Sequence, residues 1–256
     1  MISKISILMT VFNAEKYLLK SIESILSQKF ENFEFIIVDD CSADNSQNMI
    51  KNLKDERIKF YSLKKRFGRT KALNFGLNKC NTSFIAVQDA DDVSHPDRLT
   101  VCLEKLNYDK SIGLIGTNFS YIDSNDIEET NSNNLHKFRK EIDNLKFINF
   151  IPHSSIIFDR NKLKKNILYD TSFVYAQDYH LILKYLKDSK ISLVDEKLVQ
   201  IRKHEDNMTN NKKIKKIRIE ESIRLLDFSL KNFTLSYLER KKIYIYKIKN
   251  RLSLLF

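Results

Sequence analysis

The chain has 256 residues, 42% hydrophobic and 30% charged, with only four glycines and two prolines. Such a length holds one domain of roughly 200–250 residues with an appendage, or two small domains, and the scarcity of Gly and Pro argues against disordered linkers. The formal charge of +11 is uneven: Arg202 to Phe256 carries 15 Lys/Arg against 6 Asp/Glu, so the basicity belongs to the tail. No run approaches the ~18 apolar residues of a membrane-spanning helix. Met1-Ile2-Ser3-Lys4 leads straight into a strand-like run, so no signal peptide is expected. Cys41, Cys80 and Cys102 are odd in number and lack metal-ligand spacing. They read as reduced thiols of a cytoplasmic protein, with Cys80 and Cys102 as half-buried packing residues.

Along the chain, Ile5–Thr10 reads as a first strand, and Asn13-Ala14-Glu15 offers an N-cap and acidic first turn for a helix carrying Leu18, Ile22, Ile25 and Leu26. A second strand, Glu34–Val38, ends in Asp39-Asp40. Ser42 or Asp44 can cap the next helix, with Met49, Ile50 and Leu53 on its apolar face. Ile58–Tyr61 looks like a short strand. After the basic loop Lys64–Arg69, a helix with Leu73 and Leu77 leads to a fourth strand, Phe84–Gln88. A helix after Pro96 carries Leu99, Leu103 and Leu106, and Ile112–Gly116 begins another strand. This alternation predicts an α/β fold with a doubly wound, mostly parallel, Rossmann-like sheet. From about residue 117 the pattern changes. Ser124–Asn134 is turn-like, a helix is expected through Leu145, Ile148 and Asn149, and strands near Ile156–Phe158 and Ile191–Val194 flank a helix at Asp178–Leu186. The last 50 residues read as a helical appendage with the stripe Ile219, Ile223, Leu226 and Leu230.

Two apolar runs end in acid: Phe35-Ile36-Ile37-Val38 meets Asp39-Asp40, and Phe84–Gln88 meets Asp89-Ala90-Asp91-Asp92. Ligands of such sheets bind beyond the carboxyl ends of the strands. Five carboxylates therefore converge where a ligand belongs, and they repel one another unless hydrogen bonds or a cation compensate. A divalent metal shared with phosphates is the simplest compensator, Mg²⁺ and Mn²⁺ being open alternatives.

The ordered series Ser6–Glu15, Ser24–Gln28, Phe35–Ser42, Asn74-Phe75-Gly76, Asp89-Ala90-Asp91-Asp92 with Pro96-Asp97-Arg98-Leu99, Gln177-Asp178-Tyr179 and Arg202-Lys203-His204 resembles the family 2 glycosyltransferases. These are inverting enzymes of the glycosyltransferase A fold. The resemblance covers about residues 3–205 and leaves the tail uncovered. It implies a nucleotide-binding half (1–116), an acceptor-binding half of the same catalytic domain (117–205) and a basic helical extension (206–256). It further implies transfer from a nucleotide sugar, UDP-linked by expectation, to a glycan or lipid-linked glycan in bacterial surface-glycan synthesis. Asp91 then corresponds to the metal ligand, and Asp89 to a ribose or metal-assisting carboxylate. Thr10 and Asp40 correspond to base contacts, with the backbone of Val11 and Phe12 framing the ring. Arg66, Arg69 and Lys71 lie in the loop that approaches the phosphates, and Arg69 corresponds to the nucleotide-binding residue among them.

Asp178 matches the catalytic base, preceded by Gln177 where many members have Glu; at a helix start it also fits a dipole-stabilised carboxylate. His204, beside Arg202, matches a ligand of the metal or diphosphate, against the alternative of a surface histidine. His153 and Ser154 sit where relatives contact acceptor and donor sugar, or else they form a capped turn, and Gln177 is assigned by the same resemblance to the acceptor and donor sugar. Tyr179 reads as packing.

The tail segments Lys212–Arg218 and Arg240–Lys247 mix basic and apolar residues. They fit a helical appendage whose stripe packs while its basic face touches anionic membrane, peripheral on the inner face. No nucleic-acid motif accompanies them. A nucleotidyltransferase is the enzymatic alternative, but Thr10–Ala14 lacks the glycines of a phosphate loop, and the same lack excludes a dinucleotide-binding oxidoreductase. A non-catalytic, lectin-like or scaffold derivative of the fold is the alternative outside enzymes.

Overall fold

The structure is a computed structural model that describes residues 4–129, 142–163, 169–205 and 212–253. Among these the strands are β1 (Ile5–Val11), β2 (Phe33–Asp39), β3 (Ile58–Ser62), β4 (Phe84–Asp89), β5 (Val93–Ser94), β6 (Ile112–Ile122), β7 (Ile157–Asp159) and β8 (Lys190–Arg202). The helices are α1 (Leu18–Leu26), α2 (Ser46–Lys51), α3 (Arg69–Leu77), α4 (Arg98–Tyr108), α5 (Gln177–Asp188), α6 (Lys212–Asn232) and α7 (Tyr237–Leu252).

Side chains of a strand alternate between faces, and here both faces are apolar, so both must be covered. Ile7, Met9, Phe35, Ile37 and Ala86 pack with Leu18, Ile22 and Ile25 of α1 and Leu99, Leu103 and Leu106 of α4. Leu8, Ile36, Val38, Ile85 and Val87 pack on the other side with Ala72, Leu73 and Leu77 of α3 and Leu181, Ile182 and Tyr185 of α5. Close approach of α3 explains Gly76, since a Cβ there would lie 2.2 Å from Leu8 Cδ1.

The sheet order is β3-β2-β1-β4-β7-β6-β8-β5. The first four strands are mutually parallel, β7 runs antiparallel to both neighbours, β6 and β8 are parallel, and β5 caps the edge antiparallel to β8. This is the expected doubly wound α/β sheet with helices on both faces. The chain steps outward from β1 to β3 and returns to place β4 on the other side of β1, where Thr10 pairs with Asp89. That reversal opens the crevice in which ligands of open α/β sheets bind.

Several local expectations are corrected. Helix α1 begins at Leu18, because Asn13 and Glu15 bond across to the next loop: Asn13 Oδ1 accepts from Ala43 N (2.8 Å) and Glu15 Oε2 from Asn45 N (2.8 Å). Ser42 and Asp44 answer by accepting from Asn13 N (2.9 Å) and Glu15 N (3.0 Å), so neither occupies the cap position of α2, which Asn45 takes. Strand β6 runs on to Ile122, through a polar stretch, because Asn118 builds a bulge. Its side chain donates to Asp195 O (3.1 Å) and accepts from Phe119 N (2.9 Å) where the register shifts. The helix expected through Asn149 is a short 3-10 segment, Ile142–Lys146. Strand β8 continues to Arg202 and so delivers the Arg202-His204 motif to the sheet's end. Cys80 and Cys102 are fully buried, and burial pushes both thiols up to about 12, which makes them inert.

The C-terminal helices pack on the later half of the chain. Leu226, Leu235 and Ile243 surround Phe147, while Leu225 meets Phe173 and Leu183. The buried stripe of α6 runs through Glu221, Leu225, Leu226 and Ser229, and Ile219 and Ile223 are only half-buried. The turn Ser124–Ile127 follows β6 as expected, while residues 130–134 of the predicted turn-like stretch lie outside the described residues.

Arg98 fixes the sheet's acidic end from below. It is fully buried and donates to Gln88 Oε1 (3.0 Å), Ser94 Oγ (2.9 Å), Val87 O (2.8 Å) and Ile156 O (3.3 Å). Burial pulls its guanidinium down to about 10, still charged at neutral pH. Arg98→Met removes all four of these buried, charge-assisted bonds and is expected to cost about 3 kcal/mol of unfolding free energy in urea titrations.

Candidate active site

A cleft of about 810 Å³ opens at the crevice above β1, β2 and β4. Thr10, Val11 and Phe12 enter it from the end of β1, and Asp40 from the end of β2. Asp40 is buried. Its Oδ1 accepts from Phe67 N (2.7 Å) and its Oδ2 from Gly68 N (2.8 Å), which ties β2 to the basic loop. Gly68 makes this possible with φ of 90°, a left-handed conformation that a side chain would strain. At the mouth, the Arg66 guanidinium lies 3.8 Å from the centre of the Phe12 ring. This edge of the cleft combines a flat cation–π stack with a carboxylate, a set suited to a planar, hydrogen-bonding ring.

Four of the five convergent carboxylates, Asp40, Asp89, Asp91 and Asp92, line the cleft. The fifth, Asp39, is fully buried and staples its own turn, Oδ2 accepting from Ser42 N (3.0 Å) and Gln47 Nε2 (2.9 Å). The acidic loop between β4 and β5 then divides its charges. Burial works against ionising Asp89, but Arg69, at 2.5 Å, outweighs it and holds the carboxyl well below the usual range. Asp92 goes the other way: burial, then repulsion from Asp91 and Asp89, pushes it well above the usual range. Its Oδ1 accepts from Arg202 N (2.9 Å), and its Oδ2 shares a short hydrogen bond with Ser154 Oγ.

Asp91 faces the cleft and meets His204, with Oδ2 and Nε2 3.0 Å apart. His204 rests against the Tyr17 ring (4.9 Å between centroids), and Arg202 lies over the same ring at 4.5 Å while donating to Asp91 O (2.9 Å). One carboxylate and one imidazole suit Mn²⁺ or Mg²⁺, with diphosphate oxygens and water completing the shell. Among the described residues no group of three or more His, Cys, Asp or Glu gathers around one ion position.

Arg69 opens α3 and sits at the centre of the charge arrangement. Its Nη2 also reaches His153 Nδ1 (2.9 Å), and because Arg can only donate, Nδ1 accepts and Nε2 carries the proton toward Tyr169 Oη (2.9 Å). Burial opposes the charge on Arg69, yet Asp89, then Asp178 and Asp91, raise its pKa above the ordinary value. Three carboxylates from β4, its loop and α5 thus surround one guanidinium. Asp178 lies in the first turn of α5, half-buried, with Asn149 Nδ2 at 3.4 Å from its Oδ2. It stands behind the cleft wall, while the residues before it, Val174 and Tyr175, line the cleft. His153, Ser154 and Gln177 are buried and do not line it. Ser154 is fully buried and accepts from Asp89 N (3.2 Å), a supporting contact for the acidic loop.

Comparison with known proteins places this geometry. The family described as glycosyl transferase family 2 matches residues 6–168. The chain belongs to that family. A glycosyltransferase of Methanocaldococcus jannaschii, named as uncharacterized, is 31% identical over 204 residues, 77% of this chain and 70% of the relative. An Escherichia coli enzyme named UDP-Glc:alpha-D-GlcNAc-diphosphoundecaprenol beta-1,3-glucosyltransferase is 30% identical over 195 residues, 75% of this chain and 73% of the relative. The crystal structure of S. aureus TarS 1-349 in complex with UDP-GlcNAc superposes with a TM-score of 0.77 at 19% identity, over 98% of this chain and 73% of that one, and shares the fold.

In this glycosyltransferase sequence reasoning missed Tyr17, whose ring supports both His204 and Arg202, and Tyr169, which orients His153. It also missed Ile214, a cleft residue from α6. Tyr17 carries no local signal, since its partners lie far along the chain. Tyr169 is fixed by a two-way bond with Asn74, whose Nδ2 donates to Tyr169 O (2.8 Å) and Oδ1 accepts from Tyr169 N (2.7 Å). Asn74 belongs to the quoted Asn74-Phe75-Gly76 motif, so the motif itself was visible and its partner was not. Arg69→Met strands Asp89 without its cation and is expected to cost about 3 kcal/mol of stability. Arg69→Met with Asp89→Asn should recover most of that loss, as a double-mutant cycle in urea would measure.

Proposed function

We propose that this glycosyltransferase moves a sugar from a UDP-sugar to a hydroxyl of a glycan or lipid-linked glycan with inversion, assisted by Mn²⁺ or Mg²⁺, in surface-glycan synthesis. The observation that carries the reading is the pairing of Asp91 with His204 in a cleft that has the Asp40–Phe12 edge at one side and Arg69 with Asp89 at the other, Asp178 lying behind that wall and acting electrostatically on Arg69. Residues 1–116 are assigned to the donor and 117–205 to the acceptor. Thr10 and the backbone of Val11 and Phe12 frame the base. Each Asp40 oxygen holds one backbone amide and keeps a lone pair for a ring N–H. Asp89, fixed by Arg69, accepts from the ribose or supports the metal site.

Asp91 and His204 would hold the divalent cation, which supplies positive charge to the departing diphosphate. Asp178 takes the proton from the acceptor hydroxyl as its oxygen bonds to the anomeric carbon. The bond from that carbon to the diphosphate oxygen breaks, and its electron pair leaves with the nucleoside diphosphate. Attack from the face opposite the leaving group inverts the centre. His153 and Ser154 hold the acidic loop in place, and Gln177 lies at the acceptor side. Asp178→Asn should cut turnover at least about 10³-fold, on the scale of losing a positioned base, while UDP affinity stays within about twofold. The check is UDP release across a panel of UDP-, GDP- and dTDP-sugars with calorimetric UDP binding. Normal turnover in the variant removes Asp178 from the base role.

The acceptor class bears on the tail. Among the described residues no helix is long and apolar enough to cross a membrane. Yet α7 turns Ile243 inward and leaves Tyr237, Leu238, Tyr244, Ile245, Ile248 and Leu252 exposed. Six Lys/Arg and one Glu share that helix. An apolar stripe rimmed by basic side chains lies in a lipid interface, each basic residue adding about 1 kcal/mol on an anionic surface. The reading puts the enzyme on the inner face of the membrane, beside a lipid-linked acceptor of the kind named for the Escherichia coli relative. The protein should float with phosphatidylglycerol vesicles at low salt, and Tyr244→Asp with Ile248→Asp should abolish flotation. Equal recovery with neutral vesicles removes the anionic preference, and no recovery at any salt removes the membrane contact.

A further inference from the structure

The geometry assigns to Glu221, on the C-terminal helix α6, the role of a positioning residue for Asp178. The inference rests on the reading of Asp178 as the base. Glu221 is a carboxylate 1% exposed, and both its oxygens face the loop that leads into α5. Oε1 accepts from Val174 N (2.6 Å), and Oε2 accepts from Tyr175 N (2.9 Å) and Ala176 N (2.8 Å). Helix α5 has no side-chain cap of its own, and Asp178 is its second residue. Three charge-assisted bonds therefore fix the three residues immediately before the helix that carries the base.

The rest of α6 grips the same loop. Arg224 Nη2 donates to Ser172 O (2.8 Å), and its guanidinium lies 4.3 Å from the centre of the Phe173 ring. From the opposite side Thr70, next to Arg69, donates its Oγ1 hydrogen to Phe173 O (2.8 Å). Leu225 packs on Phe173 and on Leu183 of α5. The loop so held presents Val174 and Tyr175 to the cleft, and α6 adds Ile214 to the same wall. The extension is thus part of the catalytic unit.

A surface staple would not need a buried carboxylate on three successive amides. Orientation does need it, because a displacement of about 1 Å at a reacting group costs on the order of 10²-fold in rate. Gln at position 221 keeps one acceptor and turns an NH₂ group toward amide hydrogens, so it loosens the loop while preserving side-chain volume.

The test uses the full chain and the nucleotide sugar that turns over fastest in the panel. Glu221→Gln should lower kcat about 10- to 100-fold, with donor KM and UDP affinity within about twofold of wild type. In an Asp178→Asn background it should produce no further loss under single-turnover conditions, because it acts through that residue. Leu226→Ala, a core truncation on the same helix that leaves the loop contacts intact, should lower the Tm at least as far while leaving kcat within about twofold. Should Glu221→Gln not fold, Arg224→Ala, at an exposed position, loosens the same loop and is read by the same cycle. Wild-type kcat in Glu221→Gln, an equal loss added to Asp178→Asn, or an equal kcat loss in Leu226→Ala overturns the inference. Inactive Asp178→Asn beside fully active Glu221→Gln overturns this inference alone. Wild-type turnover in Asp178→Asn overturns the base assignment, and this inference with it.

Discussion

Packing several carboxylates at the tips of adjacent strands is unfavourable, and the architecture of this glycosyltransferase is organised by how that repulsion is relieved. Arg69 supplies one fixed positive charge and holds Asp89 ionised. Burial, then repulsion from Asp91 and Asp89, pushes Asp92 well above the usual carboxylate range, and its two oxygens make it a hydrogen-bonding strut between Ser154 and the backbone of Arg202. Asp91 is left facing the cleft with His204. Three neighbouring acids of one loop thereby take three different roles, set by environment alone. Arg69 can do this because α3 starts at the point where Gly68 turns the chain, and Gly68 is anchored by Asp40. The end of β2, the basic loop and the acidic loop are consequently one electrostatic unit.

This arrangement explains which features were legible in the sequence. The strand tips were visible because apolar runs ending in Asp are local patterns, and the two-faced sheet followed from alternation with helices. The stretch from Arg202 to His204 could be placed near Asp91 by resemblance, and β8 carries it there. What was hidden depends on partners distant in sequence. Asn13 and Glu15 look like a helix start, yet their side chains serve the loop 30 residues away. Asn118 falls where the sequence pattern changes, yet it builds the bulge that lets the strand continue. Asp39 looks equivalent to Asp40, but the alternation of the strand points only one of them to the cleft. Ser154 and Gln177 follow the same rule: they sit beside the cleft in sequence terms and are buried behind it in space.

The two sides of the cleft are built by different means. The side at the ends of β1 and β2 is made of backbone turns within the first 70 residues, bonded loop to loop, and its shape follows from short segments. The opposite side is made of the loop before α5, held by Thr70 from one direction and by α6 from the other, across 103 and 45–47 residues of sequence. A wall assembled from such separated elements can change its contour when α6 changes, without disturbing the acidic loop or Arg69. The basic extension, which composition marked only as a charged tail, packs through Leu225 on Phe173 and Leu183 and brings Ile214 to the cleft. The contour of this wall is therefore set by the packing between α6 and the loop it grips, while the strand tips are held by contacts of their own.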